Sequence, residues 1–141
     1  MKAKLRPDGN LRIIGTNELG LETAYDTHVK SGGDDSAPTP MEVLLQCIGA
    51  CSYFDVVSIL RKKRKTVDAL FIDLDSERQT EHPMVFTKVH IIYKLISPDA
   101  ELHDLERAVE LSQEKYCSVS AMVKKSGCEV TWECRLNDTN G

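Results

Sequence analysis

From residue 41 to residue 60 the chain reads "MEVLLQCIGACSYFDVVSIL", apolar nearly all round, with Glu42 and Asp55 as its only charges. A run this long without alternation predicts a helix that is buried over most of its circumference. Thr39 suits the N-cap, Pro40 the first helical position, and Glu42 the positive end of the helix dipole. "RKKRK" at 61–65 complements the negative end as a solvated helix terminus. Elsewhere the period is two. "AKLRP", "LRIIGT" and "LETAYDTHV" read as short N-terminal strands, and "KSGGDDSAPTP" at 30–40 as a loop. Leu70, Ile72 and Leu74 alternate with Phe71, Asp73 and Asp75. After the turn "EHPM", Val89, Ile91, Tyr93 and Leu95 alternate with polar partners. The two runs predict an antiparallel hairpin. Ser97 as N-cap and Pro98 just inside it predict a helix with an apolar stripe of Leu102, Leu105, Val109 and Tyr116. A second short helix follows Cys117, with Ser118 suited to cap it and Gly127 to stop it. "EVTWECRL" closes the chain as a strand with Val130, Trp132, Cys134 and Leu136 inward.

This order predicts an α+β fold with mostly antiparallel strands and helices on one face. The expected organisation is a single domain over 1–141: strands and loop at 1–39, the central helix at 40–64, then the hairpin, two helices and last strand at 67–141. A basic flank behind an apolar run is also the pattern of a membrane span. Gln46, Ser52, Tyr53, Asp55 and Ser58, spread along the segment, favour a buried core helix, so no membrane partner is expected.

A length of 141 residues suffices for one ordinary core, and a net charge of −4 argues against a nucleic-acid partner. "MKAKLRPDGN" holds no apolar run of the kind a secretory signal needs. Without such a signal, five cysteines favour free thiols in a reducing cytoplasm over a disulfide scaffold. There is no C-x-x-C pair, and His28, His82, His90 and His103 do not flank the cysteines at metal-finger spacing. Neither a structural zinc site nor a cofactor is expected.

The thiols differ in their settings. Cys134 lies in the inward register of the last strand and Cys128 at its start, where free cysteine acts as a small hydrophobe. Cys47 and Cys51 share a helix face at i and i+4, too far apart for an unstrained disulfide. Cys117 stands at a helix N-terminal edge, where the dipole and free N–H groups favour a thiolate.

"PTPMEVLLQCIGACSYFDVVSIL", "SERQTEHPMVFTKVHIIYKL" and "ERAVELSQEKYCSVSAMV", in this order and at these separations, resemble the OsmC/Ohr family, and within it the YhfA-like subgroup of bacterial proteins. The resemblance implies an intertwined homodimer with mostly antiparallel sheets wrapped around the long helix. It implies further that Cys51 is a peroxide-attacking thiol and Cys117 the thiol that resolves its sulfenic acid to a disulfide. A dithiol reductant then restores both, and the substrate is a small hydrophobic organic peroxide. The peroxidase branches also carry an Arg in the loop before the helix and a Glu at its start. Here no Arg lies between Asn17 and Pro40, and the Glu position holds Met41, with Glu42 one residue on. Two other readings stand beside the hydroperoxide reductase. One is a non-catalytic or redox-sensing dimer that binds a lipid-like ligand or an electrophile. The other is a pair of cysteines that merely pack.

Overall fold

The structure, a computed structural model, describes residues 1–138. It is α+β, with two three-stranded sheets and three α-helices. The chain divides into two compact units, one holding Met1–Leu44 and the other beginning at Leu45.

The first unit is an antiparallel meander of β1 (Ala3–Pro7), β2 (Ile13–Asn17) and β3 (Glu22–Tyr25). The strand expected across 21–29 stops at Tyr25 because Asp26 turns the chain. Its buried carboxylate accepts hydrogen bonds from Thr27 N at 2.8 Å, Ser36 N at 3.0 Å and Ser36 Oγ at 2.6 Å. Those donors, the Ser36 hydroxyl foremost, pull the Asp26 pKa down to about 2. The glycine- and proline-rich loop is thus folded around one acid. Gly33 is part of that closure, since a Cβ there would overlap the backbone carbonyl of Thr27.

The first turn of helix α1 (Pro40–Lys62) is fixed by reciprocal bonds. Thr39 N donates to Glu42 Oε2 at 2.7 Å, and Glu42 N donates to Thr39 Oγ1 at 3.3 Å. By length and composition α1 is the one described helix that is apolar enough to cross a membrane. Its buried residues Ile48, Gly49, Ser52, Val56, Val57 and Leu60 make one continuous stripe, while Tyr53 and Phe54 remain exposed in the single chain.

The second unit builds a sheet from β4 (Ala69–Arg78), β5 (Phe86–Ile96) and β6 (Glu129–Leu136), with β5 in the middle. The predicted alternation appears as three apolar rungs across it: Leu70–Leu95–Leu136, Ile72–Tyr93–Cys134 and Leu74–Ile91–Trp132. Ile91, Tyr93 and Leu95 are wholly buried, each an apolar burial of about 1.5–3 kcal/mol. Gly49 lets α1 approach this face closely: a Cβ there would come within 2.8 Å of Leu74 Cδ1. Pairing of β4 with β5 is antiparallel, but β6 runs parallel to β5. The intervening chain must therefore cross back along the sheet before β6 begins.

That crossover comprises α2 (Leu102–Leu111), one wider π-type turn (Ser112–Tyr116) and α3 (Ser118–Lys125). The first helix starts later than Ser97–Pro98 predicts. Ser97 Oγ closes a local turn by accepting from Ala100 N at 3.0 Å. Asp99 is drawn away to Thr66, accepting from its N at 2.8 Å and its Oγ1 at 2.9 Å. The π-type turn then shifts the phase, so that Ser112 and Gln113 point inward and Tyr116 outward, which ends the expected stripe at Val109.

Gly33→Ala should destabilise the 26–36 loop by about 1–3 kcal/mol through overlap with Thr27. Limited trypsin digestion, read at Lys30, should show faster cleavage than in the wild type.

Candidate functional site

Helix periodicity puts Cys51 and Asp55 on one face of α1, with Ser52 turned toward the sheet. The π-type turn delivers Ser112 and Gln113 to the same place, and Cys117 follows as the N-cap of α3. Cys51 Sγ, Cys117 Sγ and an Asp55 carboxylate oxygen all lie within 4.8 Å of one another, inside one chain. Cys51 is half-buried and Cys117 is buried; Cys47, one turn earlier, is exposed. All five cysteines are free thiols.

Beneath this cluster runs a polar chain in an otherwise apolar layer. Ser52 Oγ lies 2.6 Å from Tyr93 Oη and 3.0 Å from Ser112 Oγ. The Ser112 hydroxyl donates to Asp55 Oδ2 at 2.9 Å. Gln113 Nε2 donates to Tyr93 Oη at 2.9 Å, and Lys124 Nζ donates to the backbone carbonyl of Gln113 at 2.7 Å. Burial pushes the Tyr93 phenol up to about 12, so it remains a neutral hydrogen-bonding group at ordinary pH.

Cys117 itself caps α3, a place sequence reasoning gave to Ser118. Its sulfur accepts from Ser120 N at 3.4 Å and lies 3.2 Å from Ser120 Oγ. Burial nonetheless raises the thiol pKa; the Ser120 bonds work against that rise, and the neighbouring Cys51 adds to it. The helix-start argument for an easily formed thiolate is outweighed here by desolvation. Cys128 is buried, and burial lifts Cys134 to about 12, consistent with packing roles for both.

Glu42, Arg6 and Arg12 are each committed to partners of their own. Glu42 is tied into the helix cap, its pKa lowered chiefly by the Thr39 N–H. Arg6 pairs with Glu22 at 3.0 Å, and Arg12 pairs with Asp8 at 3.0 Å and donates to the Ser36 carbonyl at 2.8 Å. The charge set beside the two sulfurs is instead an acid, Asp55. In the sequence Asp55 stands out only as an interruption of the apolar run, and no pattern there marks Ser112, Gln113 or Ser120. The available signal was its i+4 spacing from Cys51. The rest depended on the π-type turn.

One cleft reaches the site, and a second lies along another face of α1. The first, of about 300 Å³, reaches Asp55 between Ser58, Ile59, Leu111 and Tyr116. The second, of about 420 Å³, is apolar and runs along Gly49, Ala50, Tyr53 and Phe54 to Ile72 and Leu74.

A half-buried and a buried thiol thus lie together between a long helix and the crossover of an α+β sheet. The chain belongs to the OsmC-like protein family, whose model matches residues 33–133. It is 37% identical over 126 residues to Protein YhfA of Escherichia coli (strain K12), covering 89% of this chain and 91% of that protein. It is also similar to the crystal structure of a hypothetical protein from Aquifex aeolicus VF5. That match has a TM-score of 0.80 and 35% identity, and covers 97% of each chain. An organic hydroperoxide resistance protein OsmC from Legionella pneumophila shares the fold at a TM-score of 0.67. Its identity is 12%, with 96% of this chain and 97% of that one covered.

Tyr93→Phe removes a buried acceptor from Gln113 and should cost about 1–3 kcal/mol, read as a lower urea midpoint with an unchanged slope. Stability should also fall at alkaline pH. The folded state holds the Tyr93 proton more tightly than the unfolded chain does. Its contribution is therefore complete below the ordinary value of 10.0 and is lost as pH rises toward about 12. Urea titrations across this window should show a smaller decline in Tyr93→Phe.

Proposed function

We propose that this protein is a thiol-dependent redox protein of the organic hydroperoxide reductase type, with Cys51 and Cys117 as its dithiol. The single observation that carries this reading is the approach of these two sulfurs, far apart in sequence, to within 4.8 Å. At that range a disulfide forms with little backbone movement. Cys51, the more accessible thiol, attacks the outer oxygen of a hydroperoxide. The O–O bond breaks, an alcohol leaves, and Cys51 becomes a sulfenic acid. The Cys117 thiol then displaces the sulfenic hydroxyl as water, which leaves a disulfide. A dithiol reductant takes the oxidising equivalents and returns both thiols. Cys117, buried beside Cys51, fits the resolving role, because a sulfenic acid with no neighbouring thiol would oxidise further. A fold neighbour bears the name organic hydroperoxide resistance protein, which agrees with this chemistry.

The reading includes a homodimer in a reducing compartment. Phe54 is 71% exposed and Tyr53 38% in the single chain, an apolar flank of α1 that a second copy would cover. The apolar cleft along α1 favours a second reading, in which a dimer binds a lipid-like molecule or an electrophile without turnover. Native mass spectrometry showing a retained apolar ligand on a protein inert to peroxide would select it.

The deciding experiment incubates reduced protein with an organic hydroperoxide, measures peroxide loss and maps the oxidised peptides. A Cys51–Cys117 linkage is expected, together with peroxide consumption that Cys51→Ser abolishes. Absence of the linkage and consumption equal to that of Cys51→Ser would overturn the catalytic reading.

A further inference from the structure

Cys51, Asp55 and Cys117 present two sulfurs and a carboxylate oxygen within 4.8 Å of one another, on two elements that the polar chain beneath them fixes in place. Two thiolates on one tetrahedral zinc-class ion, with bonds of about 2.3 Å, sit about 3.8 Å apart. The donors need draw together by only about 1 Å, within the reach of small side-chain rotations. Two of the three donors are already oriented by a neighbour. Ser112 Oγ holds Asp55, and Ser120 N and Oγ hold the Cys117 sulfur. Such supporting bonds are what fix ligand direction in metal sites. Two thiolates and a carboxylate at this range repel one another, and a divalent cation between them converts the repulsion into attraction. Three protein donors leave one tetrahedral position open, and the 300 Å³ cleft that reaches Asp55 provides an approach to the cluster.

We propose that the reduced protein binds one divalent transition-metal ion of zinc's class per chain through Cys51, Asp55 and Cys117, leaving one coordination position open. The mixture of thiolate and carboxylate selects this class over magnesium or calcium, which take oxygen ligands. This revises the expectation, drawn from cysteine and histidine spacing, that the chain has no metal site. The two sulfurs are distant in sequence, and Asp55 joins them only as the i+4 neighbour of Cys51. The proposal requires the reduced dithiol but none of the peroxide chemistry above.

The test titrates metal-stripped, reduced full-length protein with cobalt(II) in the absence of peroxide and follows its absorption spectrum. A sulfur-to-cobalt charge-transfer band with tetrahedral visible bands should saturate at one ion per chain and be displaced by zinc. Asp55→Asn should weaken binding by about tenfold or more. Cys117→Ser should remove the tetrahedral spectrum, and Cys47→Ser, which deletes the exposed thiol one turn away, should leave the titration unchanged. The proposal is overturned by a wild type without the charge-transfer band, by equal affinity in Asp55→Asn, or by a spectrum that survives Cys117→Ser or vanishes with Cys47→Ser. Circular dichroism checks folding. Should Cys117→Ser not fold, Asp55→Asn decides, since it keeps both thiols and an oxygen to accept the Ser112 hydroxyl. Peroxide consumption measured in the presence of a chelator is scored separately, so either reading can fail without the other.

Discussion

The Ser52 hydroxyl is the point on which the site depends. It is wholly buried where α1 crosses the sheet, and it meets Tyr93 from β5 and Ser112 and Gln113 from the π-type turn. A hydroxyl in an apolar layer is costly unless satisfied, so this cluster admits few arrangements of the three elements. Apolar packing between Gly49 and Leu74 brings the helix near, but apolar contacts tolerate sliding. Hydrogen bonds of 2.6 and 3.0 Å do not. Cys51 is the residue next to Ser52, and Cys117 follows directly on the turn that carries Ser112. Fixing the hydroxyls therefore fixes the separation of the sulfurs.

The electrostatics of the site set this chain apart from the arginine-bearing branches that its sequence resembles. A guanidinium beside a thiol stabilises the thiolate, whereas burial and an adjacent acid favour the thiol. Here Glu42 serves the helix cap, Arg6 and Arg12 serve the N-terminal meander, and Asp55 stands by the sulfurs. Burial accordingly raises the Cys117 thiol pKa, against the pull of its Ser120 bonds.

Much of the architecture was legible in residue patterning. The uninterrupted apolar run marked α1, the two-residue period gave the faces of β4 and β5, and Thr39, Pro40 and Glu42 marked the helix start correctly. What escaped was decided by contacts distant in sequence. The start of α2 moved because Asp99 bonds to Thr66. The stripe of α2 broke because one wide turn rotates Ser112 and Gln113 inward, and helical periodicity carries no mark of such a turn. The parallel direction of β6 depends on how far the crossover travels. Cys51 and Cys117 were named through family resemblance; the acid between them becomes visible only once the chain is folded.

The parallel alignment of β6 with β5 also governs how the buried cysteine can move. Cys117 rides on a connection whose two ends are anchored by neighbouring strands of one sheet. An outward swing would break the bonds that tie the preceding turn to the core, Ser112 to Ser52 and Gln113 to the enclosed Tyr93. Any chemical change at its sulfur must therefore be accommodated by rotation within the side chain and by small shifts of α1, so the two oxidation states should share nearly the same backbone.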